Sequence, residues 1–209
     1  LVCYHQGELR AAQDAWEKAQ VICEQLGDHH RQSALVNNLS IIATEQGDYL
    51  GAQYYLQLGL ELATTSGNLV GQGDIFINLG KNYHLQGELE LARENLEQGL
   101  RIAELIGNRS STAMAMIDLA ENQKEQGNFE RAQTLYSHAL KIARENNLRY
   151  AECDALIGMA ELLSTIRVKE AGQYGAEAVA LAKEIQNPRF LERARAIVNY
   201  LDMPTTTNK

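Results

Sequence analysis

The sequence predicts an all-α fold, a right-handed α-solenoid of antiparallel helix pairs, and two observations carry this prediction. The dipeptide Gln-Gly recurs with a period of forty residues, at Gly7, Gly47, Gly87 and Gly127. Between these glycines the apolar residues follow helical spacing, and the alternation typical of a strand does not occur. A fixed period of this length is typical of stacked repeats, each of which buries its apolar face against its neighbours.

Each full repeat begins with a helix of about 17 residues after its first glycine. In the third repeat Leu89, Ala92 and Leu96 share one face of that helix, and charged residues cover the other. A second glycine then ends the helix, because glycine readily takes the left-handed backbone conformation. The residues at this second position are Gly27, Gly67, Gly107 and, in the fourth repeat, Asn147. The Asp or Asn that follows in the first three repeats can cap the next helix.

These signals set the predicted boundaries. One solenoid covers residues 1–203 and is followed by a disordered tail at 204–209. Its predicted parts are a helix stub at 1–6, a helix at 9–26, helix pairs at 30–66, 70–106, 110–146 and 150–186, and a terminal helix at 189–203. The fifth repeat slips to a spacing of thirty-nine, with Ile166 where a glycine stood. Because the chain begins inside a helix pattern, we expect it to be a fragment of a longer protein.

Composition narrows the classes of partner. Apolar residues make up 45% of the 209 residues, and the only prolines are Pro188 and Pro204, so long helices are allowed. The formal net charge of −8 argues against nucleic acid or an anionic membrane as the main partner. Cys3, Cys23 and Cys153 are far apart, and Cys23 and Cys153 fall at positions that small residues mostly fill in other repeats. This pattern predicts packing cysteines in a reducing cytoplasm.

No motif predicts catalysis, a cofactor or a metal site. The sequence has no H-E-x-x-H, G-x-S-x-G or P-loop pattern, and the adjacent His29 and His30 cannot share a helix face. Gly71-Gln72-Gly73 follows no strand and lacks a third glycine. We therefore predict that this chain is not an enzyme; any enzyme domain would lie in a part of the protein upstream of Leu1.

The repeats resemble those of the tetratricopeptide repeat family. The clearest copy is Leu79-Gly80-Lys81-Asn82-Tyr83 followed by Gly87, Ala92 and Leu96, and looser copies begin at Leu39, Leu119 and Met159. The period of forty exceeds the family's thirty-four, and the family's proline near the end of its second helix is missing. Longer repeats of this kind are similar to those of kinesin light chains, Pins-type adaptors and the sensor arms of bacterial signalling ATPases and transcription activators. The resemblance implies a partner-binding scaffold.

In that family the helix before each Gln-Gly pair, helix A, lines a concave groove, and helix B forms the outer layer. The resemblance therefore implies a protein or an extended peptide bound in the groove. The candidate groove residues are Asn38, Asn78, Lys81, His84, Asp118, Glu121, Glu125, Asp154 and Glu161. In kinesin-light-chain-like repeats an asparagine at the position of Asn38 and Asn78 holds a peptide backbone, since an amide both donates and accepts. The alternative is that each asparagine bonds across to the next helix A, and Gly158 interrupts the series.

The acidic residues of the later repeats predict an electrostatic gradient. They would favour a ligand whose basic end lies toward those repeats and whose affinity falls with salt. The alternative is that they only keep the surface soluble. Two other functions stay open: self-association as a homodimer through exposed solenoid ends, where Trp16 and Ile22 lie, and a small-molecule effector site in the groove of a regulator's sensor arm.

Overall fold

In the computed structural model, the described residues are 16–201 without 17, 20, 24 and 165, and every regular element among them is helical. Helical residues between 16 and 26 precede the first fully described helix. The helices that follow are α1 (His29–Glu45), α2 (Tyr49–Thr65), α3 (Leu69–Leu85), α4 (Leu89–Leu105), α5 (Arg109–Glu125), α6 (Phe129–Glu145), α7 (Arg149–Leu163), α8 (Val168–Glu184) and α9 (Pro188–Leu201). The odd-numbered helices are the predicted helices A, and the even-numbered ones are helices B.

The repeated glycines end helices through the left-handed conformation. Their φ angles lie between 65° and 80°, at Gly27, Gly47, Gly67, Gly87, Gly107 and Gly127. At Gly87 the following Glu88 donates its backbone N–H to the Tyr83 carbonyl at 3.0 Å, which closes the last turn of α3. Asn147 takes the same conformation at φ 54°, as the sequence predicts. Gln186, thirty-nine residues later, also does so at φ 53°. The predicted turn at Gly7 lies outside the described residues.

Side chains cap the next helices behind the second glycine of each repeat, as predicted, and also behind Gly47, whereas Glu88 and Asn128 make no side-chain cap. Asp28 Oδ1 accepts a hydrogen bond from the Arg31 backbone N–H at 3.0 Å. In the same way the Gly51 backbone N–H donates to Asp48 Oδ1 at 2.9 Å, and the Gly71 backbone N–H donates to Asn68 Oδ1 at 3.0 Å. Each cap satisfies one of the unpaired N–H groups at a helix start, which is worth about 1 kcal/mol. Turn and cap together fix where each helix of the repeat begins.

The chain divides into two compact units, one ending at Ser111 and the other beginning at Thr112, within α5. In the first unit α1 packs on α2 and α3 packs on α4, and because each turn is only a few residues long the paired helices are antiparallel. Leu56, Ala63, Ile75 and Leu79 are the buried centre of this unit.

The second unit has its own larger core. Its helices pack in sequence, α6 on α7, α7 on α8 and α8 on α9, and α9 also contacts α7. Tyr136 and the α7 residues Leu156, Ile157 and Leu163 are almost completely buried. α7 is therefore the most buried helix of this unit. Cys153 packs in this core, and burial raises the pKa of its thiol to about 12, so it is a packing residue as predicted.

The prediction of an all-helical repeat of antiparallel helix pairs is confirmed for the residues that the structure describes. None of the described helices is both long and apolar enough to cross a lipid bilayer. The extent of one solenoid over residues 1–203 and the disordered tail at 204–209 stay predictions. Cys3, the stub at 1–6 and the tail lie outside the described residues.

Candidate ligand-binding faces

Two predicted groove asparagines lie on the helix-A face of the first unit, where α1 and α3 contact each other. Asn78 Nδ2 on α3 donates to Asn37 Oδ1 on α1 at 2.9 Å, so this amide bridges two successive helices A. The alternative in which an asparagine bonds across to another helix A therefore applies to the Nδ2 group of Asn78. The partner of this group is Asn37 rather than Asn38. The half-buried Asn38 makes no side-chain hydrogen bond to another described residue. Its donor and acceptor both stay available.

A cleft of about 390 Å³ opens beside Asn38, between α1 and α3, and both polar and apolar side chains line it. Asn37, Asn38 and Ser33 line its α1 side, and Asp74 lines its α3 side. Ser111 Oγ donates to Asp74 Oδ1 at 2.7 Å. Burial raises the pKa of the Asp74 carboxyl above its ordinary value, and the Ser111 hydrogen bond partly offsets this rise in pKa. Amide, hydroxyl and carboxyl groups in one cleft can pair with the polar groups of a peptide backbone.

The predicted basic residues of this unit lie further along α3. Lys81 is exposed and His84 is half-buried, and their spacing of three places them on one side of the helix. Between them lies Asn82, which is completely buried and was not among the predicted site residues. Asn82 Nδ2 donates to the Tyr49 carbonyl at 3.2 Å, and its Oδ1 accepts from Gln86 Nε2 at 2.6 Å. Asn82 therefore ties α3 to the start of α2 and has a structural role.

Three predicted acidic residues come together in the second unit, around a cation that the sequence analysis did not assign to the groove. Arg193 on α9 lies 3.0 Å from Asp154, 3.3 Å from Glu161 and 3.6 Å from Glu121. Lys124 Nζ forms a second ion pair with Glu161 Oε2 at 3.0 Å. We call these five side chains the acid cluster. It joins α5, α7 and α9.

Arg193 changes the expected charge of this face. It stands thirty-nine residues after Asp154, so the slipped period that the sequence displays already places it at the same repeat position. The predicted series of groove residues ends one repeat earlier and therefore does not include Arg193. With three carboxylates, Arg193 and Lys124, the acid cluster keeps one negative charge, which is a smaller excess than the predicted gradient assumed.

Asp118 and Glu125 belong to the same helix as Glu121. Asp118 is half-buried one turn before Glu121, and Glu125 is exposed one turn after it. They extend the acidic face of α5 on either side of the acid cluster. The role of all nine predicted groove residues as ligand contacts stays a prediction.

In the fourth repeat, the Tyr136 ring occupies the space that a side chain at residue 158 would need. Its ring is completely buried against Gly158, and a Cβ atom at residue 158 would lie 2.5 Å from Tyr136 Cζ and 2.8 Å from its hydroxyl. Gly158 lies one turn from both Asp154 and Glu161 on α7, so the hydroxyl sits between these two acidic positions. The Tyr136 hydroxyl has no hydrogen-bond partner among the described residues.

Burial and the charges of the acid cluster shift the pKa values of Glu121 and of the neighbouring Tyr136. Burial raises the pKa of the Glu121 carboxyl and repulsion from Asp154 raises it further, whereas Lys124 and Arg193 lower that pKa. Burial, followed by the charges of Glu121, Glu161 and Asp154, raises the pKa of the Tyr136 phenol. The phenol therefore keeps its proton and can both donate and accept a hydrogen bond.

A second cleft, of about 370 Å³, borders the acid cluster on its α9 side. Glu161 and Arg193 form its charged end, and Ala196, Ile197 and Tyr200 form its apolar wall. An apolar wall beside a charged end suits a ligand in which an apolar side chain lies next to a polar group. No set of three or more His, Cys, Asp or Glu side chains in the described part of the chain is arranged to hold a metal ion.

Comparison with known proteins finds similar repeats. Residues 72–145 match the family model described as the tetratricopeptide repeat. A search of curated protein sequences returns no match. The fold is similar to that of a Rap protein complexed with competence and sporulation factor, with a TM-score of 0.84 and 14% identity over 96% of this chain and 60% of that chain.

Two further solved structures share the fold. One is aspartyl phosphate phosphatase F from Bacillus subtilis, with a TM-score of 0.80 and 12% identity over 95% of this chain and 54% of that chain. The other is a signal transduction ATPase with numerous domains and a tetratricopeptide repeat sensor, from Pyrococcus horikoshii. It has a TM-score of 0.71 and 18% identity over 89% of this chain and 30% of that chain. At these identities the likeness shows the fold alone. The predicted resemblance to the tetratricopeptide repeat, sensor arms included, is confirmed.

Proposed function

Because residues 72–145 match the tetratricopeptide repeat family model, we propose that this chain is a non-catalytic scaffold that binds a protein or an extended peptide along its helices A. Tetratricopeptide repeats generally serve as protein-interaction scaffolds. The observation that carries the proposal here is the cleft between α1 and α3 of the first unit, in which the Asn38 amide makes no hydrogen bond to another described residue. A half-buried amide of this kind can bind a peptide unit whatever side chain that unit carries.

The neighbouring groups support a backbone-binding role for this cleft. Asn78 donates to Asn37, so its Oδ1 still offers an acceptor toward a ligand N–H. Asp74 Oδ1 is held by Ser111, which fixes the carboxyl at the cleft wall. A ligand carbonyl could accept from Asn38 Nδ2 while its next N–H donates to an amide oxygen. Side-chain selection would then come from Lys81 and His84 further along α3.

A selection from a display library of random peptides tests this function. Selected peptides are then measured with the wild-type chain and with the Asn38→Ala variant. If Asn38 holds a ligand backbone, its loss should weaken binding by roughly 1–3 kcal/mol whatever the sequence of the peptide. Asn78→Ala should weaken binding less than Asn38→Ala, because Asn78 already uses one of its two N–H donors in the bond to Asn37.

Asn95→Ala is the matched control. Asn95 lies on α4, a helix B, and its Nδ2 donates to the Leu91 carbonyl of its own helix. The double variant Asn38→Ala with Asn78→Ala should keep its helical circular dichroism while binding falls. If the selection yields no peptide that binds the folded chain, or if Asn38→Ala and Asn95→Ala have equal effects, the proposal is wrong.

The wider context that we propose is a larger multidomain adaptor, or the sensor arm of a signalling or transcription regulator. The Pyrococcus horikoshii protein of similar fold carries its repeats as a sensor beside an ATPase. The Bacillus subtilis neighbour is named a phosphatase, so the shared fold alone does not decide against catalysis. Our proposal of a non-catalytic chain rests on the repeat family and on the absence of catalytic motifs from the sequence. A cytoplasmic location is part of the same proposal.

A small-molecule effector is the second candidate function. The two clefts, of about 390 and 370 Å³, fall in the size range of small-ligand sites. A ligand that raises the melting temperature of the chain and is displaced by a selected peptide would join the two functions in one site. Self-association stays an alternative, and the exposed Ile22 is the residue to replace when the size of the chain is measured in solution.

A further inference from the structure

We propose that Glu121, Asp154 and the Tyr136 hydroxyl form a subsite for the cationic side chain of a bound peptide, a lysine ammonium or an arginine guanidinium. This inference deepens the scaffold function and rests on it. It concerns the second unit alone, so it is separate from the amide cleft of the first unit. Three properties of the acid cluster lead to it: its charge, its hydrogen bonding and the position of Tyr136.

The charge of the acid cluster favours one more cation. Three carboxylates face Arg193 and Lys124, and one negative charge is left on a partly buried surface. A cation from a ligand would neutralise it. An anionic ligand would have to approach Arg193, whose guanidinium is already surrounded by the three carboxylates. The electrostatics of the cluster therefore select a positive group.

Glu121 is the carboxylate of the acid cluster that has free hydrogen-bond acceptor positions. Asp154 and Glu161 both accept hydrogen bonds from Arg193, at 3.0 and 3.3 Å, and Glu161 also accepts one from Lys124. Glu121 has only the 3.6 Å ion pair with Arg193 and accepts no hydrogen bond from a described side chain. A carboxylate can accept several hydrogen bonds, so Glu121 offers free acceptor positions beside Asp154.

The Tyr136 hydroxyl supplies an independent sign of a ligand. A buried polar group without a partner costs free energy, and such groups are rare in folded proteins. Tyr136 is completely buried, and Gly158 leaves room for its hydroxyl between Asp154 and Glu161. An ammonium group at this point would donate to the phenol oxygen and to Glu121. A side chain at residue 158 would prevent this arrangement.

The adjoining cleft defines what should flank the cation. Its apolar wall of Ala196, Ile197 and Tyr200 begins next to Arg193 and Glu161. A residue with an apolar side chain, close in sequence to the basic residue of the ligand, would fit there. We therefore expect the second unit to prefer a basic residue beside an apolar one.

A titration with small amines tests the subsite directly. The probes are N-acetyl-lysine N-methylamide and its uncharged analogue N-acetyl-norleucine N-methylamide, and the amide resonance of Gly158 reports binding by NMR. We expect the lysine probe to shift this resonance in a saturable way and its affinity to fall as salt is added. The norleucine probe should bind at least about tenfold more weakly, because it lacks the charge–carboxylate hydrogen bonds.

Two variants separate the subsite from a nonspecific charge effect. Tyr136→Phe removes only the hydroxyl, so the fold should stay intact, and the lysine probe should bind roughly five- to tenfold more weakly. Glu121→Gln should weaken the lysine probe at least as much. The controls are Tyr150→Phe and Glu130→Gln, which change exposed residues of the same unit and should leave the affinity unchanged.

The outcomes distinguish this inference from the proposed function. If selected peptides bind the chain but tolerate a lysine-to-norleucine exchange, and Tyr136→Phe binds the lysine probe as well as the wild type, the subsite is wrong and the scaffold stands. If no peptide binds at all, the scaffold function is wrong, and the amine titration still decides whether the cation subsite exists.

Discussion

Tyr136 and Gly158 occupy one space in the second unit, since a Cβ atom at residue 158 would lie 2.5 Å from Tyr136 Cζ. The two residues stand on different helices, α6 and α7. In the two preceding repeats the position of Tyr136 carries the smaller Leu56 and Leu96, and the position of Gly158 carries Asn78 and Asp118; the first repeat has Trp16 and Asn38 there. Relative to the two preceding repeats, the fourth therefore exchanges a leucine for a larger ring and a polar side chain for none.

This exchange predicts the cost of Gly158→Ala. The added methyl group would overlap the buried ring, and overpacking of this kind destabilises a core by about 1–3 kcal/mol. In the Tyr136→Leu background the same substitution should cost much less, because leucine leaves that space empty. Chemical unfolding of the four variants of this double-mutant cycle measures the coupling. Additive effects of the two changes would show that the overlap does not determine stability.

The turn glycines allow a prediction that isolates backbone strain. Gly87 has φ 80°, and a Cβ atom there would meet no other atom within 4 Å. Any cost of a side chain at this point is therefore conformational rather than steric crowding by the rest of the fold. We expect Gly87→Val to lower the free energy of unfolding by roughly 1–3 kcal/mol, because a β-branched residue rarely takes this conformation.

Gly87→Asn is the matched comparison for that substitution. Asn147 holds φ 54° at the other turn of the repeat, where Gly107 stands one repeat earlier, and asparagine tolerates the left-handed region better than other residues. We expect Gly87→Asn to cost clearly less than Gly87→Val. Equal melting temperatures for the two variants would mean that the turn has rearranged and that positive φ is not required there.

The helices, turns and caps could be predicted from the sequence because local chemistry determines them. Glycine at a fixed period and Asp or Asn behind it act within a few residues, and Asn68 shows both the predicted position and the predicted bond. Gln186 was missed as a left-handed residue because glutamine seldom takes that conformation, although its distance of thirty-nine from Asn147 pointed to it.

The candidate faces depend on contacts between repeats, and the sequence predicted these contacts only in part. The period correctly placed Asp154 and Glu161 on one face, but which side chain meets which is a matter of distance across helices. Asn78 could pair with Asn37 or Asn38, and only the packing of α3 on α1 decides for Asn37. Nothing in the sequence distinguished Asn82 from the other polar residues of α3. It is completely buried because the start of α2 lies over it.

Arg193 should stabilise the acid cluster more than a surface arginine would. Arg193→Met keeps much of the apolar stem but leaves three carboxylates facing Lys124 alone. For a partly exposed cation of this kind we expect a loss of about 1–3 kcal/mol, between the values for surface and buried pairs. Arg195→Met, on the exposed side of the same helix, is the control and should change stability little. Similar losses in both variants would contradict the role of Arg193.

Adding Glu161→Gln to both variants tests the origin of that loss. If the loss comes from repulsion among the carboxylates, Arg193→Met should cost less when Glu161→Gln is already present, and the difference should shrink in high salt. A loss that is independent of Glu161 and of salt would point instead to lost packing of the arginine stem against α7.

The raised pKa of Glu121 predicts how stability changes with pH. Its carboxyl lies against Asp154, and burial and this charge lift its folded-state pKa above the ordinary value of 4.5. Between 4.5 and the raised pKa the folded chain therefore holds a proton that the unfolded chain has released. Stability from this group is highest below that interval and declines as the pH rises through it. Above the interval the charged carboxylate is penalised in the folded state.

Glu121→Gln removes this titration, so the variant should gain on the wild type as the pH rises from 4.5, and the difference should level off once Glu121 is ionised in the folded chain. Urea unfolding midpoints of both proteins at a series of pH values measure the difference directly. Glu130→Gln, at an exposed position of α6, should give a flat difference over the same range. If the wild type instead gains on Glu121→Gln with rising pH, attraction from Arg193 and Lys124 outweighs burial and Asp154, and the folded-state pKa of Glu121 lies below 4.5.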